Sequence, residues 1–303
     1  MSKEFPWTPA ETKQLMSHAE VIAALRDKVE EGKADADERK RFTKAVFALK
    51  KQMEEKENPT THIILAEAAN GSEIRFDLRE IRQTWETFYG THNLKQLADA
   101  LPTDIELTPT QIDLLKQKAK EGYTRVILIP ANAEQSLQLL KENLTDGYEK
   151  NPDGTSIETY LADYDDKKGV KSSFPNLIET TDPKRKGKAY LLLTNPNESL
   201  APDSKNKSAD ELVAEFQAKG LSGLTLADFF IEERRHFEET GNHLIDWGKS
   251  DYSWLLSSRD GASRVLDAGW YPGAHQVGVR SYPSGLRNPH LGARSSVVLD
   301  LES

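Results

Sequence analysis

A break in composition near residue 250 is the strongest constraint in this chain. From Ser250 to Leu301 there is no Lys, no Glu and no Met. Lys and Glu make up roughly a sixth of the whole chain, so about nine would be expected over that stretch. The same tail holds Trp254 and Trp270, with Trp247 just before it. It also carries Gly261, Gly269, Gly273, Gly278, Gly285 and Gly292. Its apolar residues fall in short strand-like runs at 252–257, 263–270, 276–282 and 296–301. Arg259-Asp260-Gly261, Tyr271-Pro272-Gly273 and Pro283-Ser284-Gly285 supply turns between them. This pattern predicts a glycine-punctuated antiparallel sheet.

The chain before residue 250 is acidic, rich in Lys and Glu, and mostly helical in its periodicity. Residues 1–60 predict a helical hairpin. Thr8-Pro9-Ala10-Glu11 forms a capping box with Pro at the first helical position. Leu15, Ala19, Ile22, Leu25 and Val29 follow at helical spacing, and Phe42, Val46, Leu49 and Met53 form the stripe of a second helix. That pair packs on itself or on a partner helix, so residues 9–55 are a candidate surface for self-association. Short strands are expected at 61–65 and 73–78, with stronger ones at 124–130 and 188–194. Helices are expected at 79–89, 94–100, 108–121, 133–144, 208–220 and 225–239. Residues 146–187 read as a long polar loop, which is functional, decorative or partly mobile. Helices first and an antiparallel sheet last make the fold class α+β, with a hairpin at 1–60 and a main domain at 61–303.

Several classes are disfavoured by composition. A length of 303 residues allows one large domain or two modest ones. A net charge of −9 and a pI of about 5.4 argue against a general nucleic-acid binder. Mean hydropathy is −0.65, and no apolar run approaches the roughly 18 residues of a membrane span. The first residues lack a secretory h-region, so a cytoplasmic location is expected. With no Cys, disulfides, thiolate metal sites and cysteine nucleophiles are excluded.

Three clusters could carry chemistry, and each has a plainer explanation. His236, Glu239 and His243 lie close together, but Gly241-Asn242 ends the helix before His243 and no HExxH pattern is present. A surface or capping role is expected for both histidines. Glu158, Asp163, Asp165 and Asp166 lack the glycine and the distal Glu of a calcium loop. Ser257–Ser258 and Ser295–Ser296 have no nucleophile-elbow context, and no phosphate-binding glycine loop occurs. Arg294 is expected to be packed or paired near the last strand. No metal site, cofactor or active site assembles from these residues.

Two segments carry a resemblance. One runs Gly220-Leu-Ser-Gly-Leu-Thr-Leu-Ala-Asp-Phe-Phe230 and on through His236-Phe-Glu-Glu-Thr-Gly-Asn-His-Leu244. The other comprises Ser253-Trp-Leu-Leu-Ser-Ser-Arg259, Ser263-Arg-Val-Leu266, Ala268-Gly-Trp270, Val277-Gly-Val279 and Asn288-Pro-His-Leu-Gly-Ala-Arg294. From about Leu94 onward the chain resembles the variable proteins of diversity-generating retroelements, of the kind found in small uncultivated bacteria. The resemblance implies a C-type-lectin-like fold related to that of formylglycine-generating enzymes. It also implies that adenines in the 3′ end of the gene are randomised. An AAC codon becomes NNC, which never encodes Lys, Glu, Gln, Met or Trp. The composition of the tail matches that scheme, with Gln276, Trp254 and Trp270 at other codons.

The resemblance further implies a fixed scaffold and a displayed face within residues 253–299. The scaffold would be Trp254, Leu255, Val265, Trp270, Val277, Val279, Leu291, Gly292, Arg294 and Val297–Leu299. The displayed, ligand-binding positions would be Arg259, Asp260, Asp267, Tyr271, His275, Arg280, Tyr282, Ser284, Leu286, Arg287 and His290. The partner would be a protein or another macromolecule, with no cofactor and no catalysis. Two alternatives stand beside this. One is a metal-dependent enzyme of the formylglycine-generating-enzyme fold, although the copper-binding cysteine pair and the H-x3-H-x-E motif of such relatives are missing. The other is an assembly protein acting through the N-terminal helices.

Overall fold

In a computed structural model, residues 9–30, 32–57, 62–145, 174, 176–178, 180, 182–197, 199–249, 251–273 and 276–301 are described. The acidic group Glu158, Asp163, Asp165 and Asp166, the Thr8 cap and His275 lie outside them. Two compact units result, Met1–Thr61 and His62–Ser303. Among the described residues, no helix is long and apolar enough to cross a membrane.

The first unit is a hairpin of α1 (Pro9–Glu30) and α2 (Ala36–Glu57). Gly32 turns the chain at φ +70°, a conformation that costs glycine little. Asp35 Oδ1 accepts from Glu38 N at 2.8 Å, and Glu38 Oε2 accepts from Asp35 N at 3.2 Å. This reciprocal cap starts α2. The expected stripe is corrected at Val46, while Phe42 is half-buried. Ala45 is buried with Leu25 and Ala34, whereas Val46 is 38% exposed, because the small residue allows the closer helix approach. The side chains of Leu15, Leu49 and Met53 lie outside the described set.

The second unit is α+β and, among the described residues, contains three sheets. A two-stranded hairpin pairs β1 (Ile63–Glu67) with β2 (Glu73–Asp77). A four-stranded sheet has the order β3-β5-β11-β6, from β3 (Arg125–Ile129), β5 (Tyr190–Thr194), β11 (Ser295–Asp300) and β6 (Ser222–Gly223). A five-stranded sheet contains β10-β7-β8-β9, with β4 (Leu177–Ile178) also on β7. Its other strands are β7 (Tyr252–Asp260), β8 (Arg264–Tyr271), β9 (Gln276–Pro283) and β10 (Leu291–Ala293). The predicted tail strands therefore exist, and β10, β4 and β6 are additions. They are too short to show a period.

Helices α3 (Leu78–Thr91), α4 (Lys95–Ala98), α5 (Pro109–Lys120) and α6 (Leu137–Leu144) precede the tail. So do α7 (Ala209–Ala218) and α8 (Leu226–Thr240). The boxes at Thr108–Gln111 and Ser208–Glu211 cap α5 and α7 as expected. Trp85 Nε1 donates to Val126 O at 3.1 Å and Tyr89 Oη to Leu128 O at 2.9 Å. These side chains of α3 satisfy carbonyls of edge strand β3, which would otherwise invite another strand.

One large core takes in β5, β11, α8 and one face of the tail sheet. Leu192, Val297, Phe229, Leu255, Leu266 and Val277 are among its members. A smaller core on the other face joins Leu212 and Phe216 of α7 to Trp254, Val265 and Leu291. Strand β7 is thus covered on both sides, which is why its centre, Trp254-Leu255-Leu256, is apolar without alternation.

Helix α8 carries three fully buried carboxylates, and each has partners. Asp228 accepts from Arg185 at 2.7 Å and Tyr190 at 2.6 Å. Glu232 accepts from Arg294 at 2.7 and 3.1 Å and from Thr194 at 2.5 Å. Glu233 meets His243 Nδ1 at 2.6 Å and accepts from Leu244 N at 2.8 Å. Buried charge survives only with such compensation. Arg185 and Phe174, both buried, fall in the stretch expected to be a polar loop, which is corrected over those positions.

Candidate functional site: the outer face of the tail sheet

Strand alternation divides the tail between two faces. Leu255, Leu266, Ala268, Trp270, Val277 and Val279 enter the large core. Tyr252 and Trp254 of β7, Asp267, Gly269 and Tyr271 of β8, and Gly278, Arg280 and Tyr282 of β9 take the other face. Register aligns Trp254 with Asp267, Asp267 with Arg280, and Gly269 with Gly278.

The glycine pair makes a trough across two strands. A methyl group at Gly269 would lie 2.3 Å from Trp247 Nε1, and one at Gly278 would lie 2.3 Å from Trp247 Cη2. The Trp247 indole therefore rests directly on backbone, and only glycine at both positions allows that approach. Arg280 stacks on this indole, with its guanidinium carbon 4.1 Å from the ring centroid, and lies 5.2 Å from Tyr252 and 5.4 Å from Tyr282. Cation–π contact of this kind orients the guanidinium without consuming its donors. Tyr271 stands at 5.5 Å from Trp247, and His290 at 6.5 Å from Tyr252. Arg280 Nη2 donates to Asp267 at 2.9 Å. Burial opposes its charge, but the charge and hydrogen bond of Asp267, with Tyr282 and Tyr252 nearby, together raise the Arg280 pKa.

Asp267 is a correction. It was expected on display but is 1% exposed, because Arg280 folds over it and closes it off. The other described candidates reach the surface to different degrees. Tyr271, Arg287 and His290 are exposed, whereas Arg259, Asp260, Arg280, Tyr282, Ser284 and Leu286 are half-buried. Near α7, Ser284 Oγ donates to Asp210 at 2.7 Å, Arg287 pairs with Glu211, and Arg259 lies 3.6 Å from Asp210. Asp260 accepts from Ser281 Oγ at 3.0 Å.

All the expected scaffold residues are buried: Trp254, Leu255, Val265, Trp270, Val277, Val279, Leu291, Gly292, Arg294 and Val297–Leu299. A side chain at Gly292 would strike Ser204 Oγ at 2.5 Å. Arg294 is paired, as expected, with its partner Glu232 supplied by α8.

The histidines near the end of α8 are separately engaged. His236 Nδ1 is 3.2 Å from Arg125 Nη1. Burial, with Arg125 and Arg294 nearby, lowers its pKa to about 4. Glu239 accepts from Arg125 at 2.6 Å. His243 is corrected from a surface or capping role. It stacks on Trp270 at 3.8 Å, with only 10% of its side chain exposed, because Glu233 holds it inward. Among the described residues, no group of three or more His, Asp or Glu converges as a metal site.

Sequence reasoning missed Trp247, Tyr252 and the acidic start of α7 as parts of this face. Gly269 and Gly278 were visible as glycines, but their pairing depends on register. No protein-family model matches the chain, and no match was found among curated proteins or solved structures.

Proposed function

We propose that this protein is a non-enzymatic binding protein that displays a diversified surface on a C-type-lectin-like scaffold. It is the product of a diversity-generating retroelement, and its partner is a protein or another macromolecule. The displayed set is Tyr271, Arg280, Tyr282, Arg287 and His290, extended toward α7 by Arg259, Asp260, Ser284 and Leu286. Asp267 belongs beneath this surface as the fixed partner of Arg280.

One observation carries this proposal. The stretch without Lys, Glu and Met contributes most of one sheet face, on which Tyr, Arg and His surround a platform made of Trp and Gly. Trp cannot be written by an NNC codon, and Trp247, Trp254 and Trp270 all lie beneath the surface. Tyr and Arg are effective contact residues because they combine large area with few rotatable bonds or with planar donors. A rigid platform also limits the ordering entropy lost on binding.

The test is the DNA flanking the gene. An imperfect repeat of codons 253–299, differing at adenines and lying near a reverse transcriptase gene, is expected. Its absence would reduce the protein to a lectin-like domain of fixed specificity.

A further inference from the structure

A cleft adjoins the α7 end of the displayed face and shares Arg259 with it. This cleft of about 480 Å³ is lined by α5, α7, β6, β7, β11, Thr180 and residues 182–184. That volume is in the range of small-molecule sites, and the mixed wall suits one. Phe216, Leu256 and Val298 provide apolar wall.

The charged lining is unbalanced. Lys184 and Arg259 both line the cleft; among the described residues the Lys184 ammonium has no hydrogen-bond partner, and the Arg259 guanidinium has only a long ion pair, with Asp210. The nearest carboxylate to Arg259 is Asp210 at 3.6 Å, beyond hydrogen-bond distance, and the other oxygen of Asp210 takes the Ser284 hydroxyl. Asp182 is the acidic lining residue, and it is already engaged. Its Oδ1 accepts from Lys184 N at 2.9 Å, and its Oδ2 lies 3.9 Å from Arg185 Nε. A break in register between Leu255 and Arg259 brings the end of β7 to this position. An apolar wall beside one unpaired ammonium, Lys184, and one guanidinium held only by a long ion pair, Arg259, suits a ligand with an apolar body and one anionic end.

We propose that this cleft binds a small organic carboxylate carrying an apolar tail. Lys184 and Arg259 would hold the carboxylate, and the wall formed by α7 and the sheets would take the tail. The cleft shares Arg259 with the displayed set, but Lys184 and most of its wall lie outside that set, and binding of a small carboxylate is read separately from binding of a macromolecular partner.

The test is a titration of the full chain with octanoate, using octan-1-ol as the uncharged control, followed by amide chemical shifts. Octanoate is expected to shift Phe216, Leu256 and Val298 and to bind about tenfold more tightly than octanol, since charge-assisted hydrogen bonds are roughly twice as strong as neutral ones. The double variant Lys184→Gln/Arg259→Gln should weaken octanoate about tenfold and leave octanol unchanged. Val213→Trp should fill the cleft and abolish binding of both, with thermal unfolding recorded to show an intact fold. Equal binding of octanoate and octanol, shifts outside the cleft, or unchanged affinity in the double variant would each overturn the proposal.

Discussion

The two faces of the tail sheet are made by the same strands but obey different rules. The inner face is mostly apolar, with Ser253 and Ser281 its polar members, and Leu255, Leu266, Ala268, Val277 and Val279 have no exposed surface. The outer face mixes Trp, Asp, Gly, Arg and Tyr, and much of it ends in solvent. Burial at packing density leaves the inner face little freedom, because each methylene there is felt. On the outer face the demanding contacts are concentrated in a few supports: Trp247 on the Gly269–Gly278 pair, and Asp267 beneath Arg280. Residues that end beyond those supports are free to change.

The largest expected effect comes from Arg294, a scaffold residue on the last strands. Arg294→Ala would leave buried Glu232 without its hydrogen-bonded ion partner, with only Arg125 at 3.9 Å remaining, a loss of about 3–5 kcal/mol. Urea denaturation of the variant should show the shift in midpoint. A shift no larger than that of an outer-face variant would remove the distinction between the two faces.

Gly278→Ala is next. The added methyl group meets the Trp247 ring and must displace it, at about 1–3 kcal/mol, and the Arg280 stack should be lost with it. A changed tryptophan emission spectrum together with a lower midpoint is expected. An unchanged spectrum would mean that the platform does not depend on the glycine pair.

A pH effect should follow from His236. Its folded pKa of about 4 lies below the ordinary value of 6.5, so protonation favours the unfolded chain. This contribution is fully present above pH 6.5 and is lost as pH falls toward 4. His236→Gln should flatten that part of the stability profile, as measured by denaturation at stepped pH. A profile as steep as that of the parent would assign the loss to other groups.

The smallest effects are expected for the outer rim. Arg287→Ala and Tyr271→Ser should change stability by no more than about 0.5 kcal/mol, which thermal unfolding can check. A larger loss at either position would place it among the supports.

Much of the fold was legible before any coordinates. The capping boxes at Thr108 and Ser208 mark helix starts through local hydrogen bonds, and local signals are readable. The strands of 125–129 and 190–194 announce themselves as apolar runs because both their faces are buried. Arg185 was not legible. It sits in a polar stretch, and its partners are Asp228, Gly223 and Ser296 from distant elements. His243 was misplaced for the same reason, since its surroundings are Glu233 and Trp270. Asp267 resembled any polar strand residue until the register set Arg280 over it.

By itself, the sequence determined where the helices and tail strands run, which tail positions are apolar, and that residues after 249 follow a separate compositional rule. Those properties depend on neighbours in the chain and on period. Only the tertiary structure decided that Trp247 lies on two glycines, that α7 contributes acidic partners at one end of the face, and that the carboxylates of α8 neutralise buried arginines. Each of these depends on strand register or on contacts between distant segments, and a side-chain period of two carries no information about which strand lies opposite.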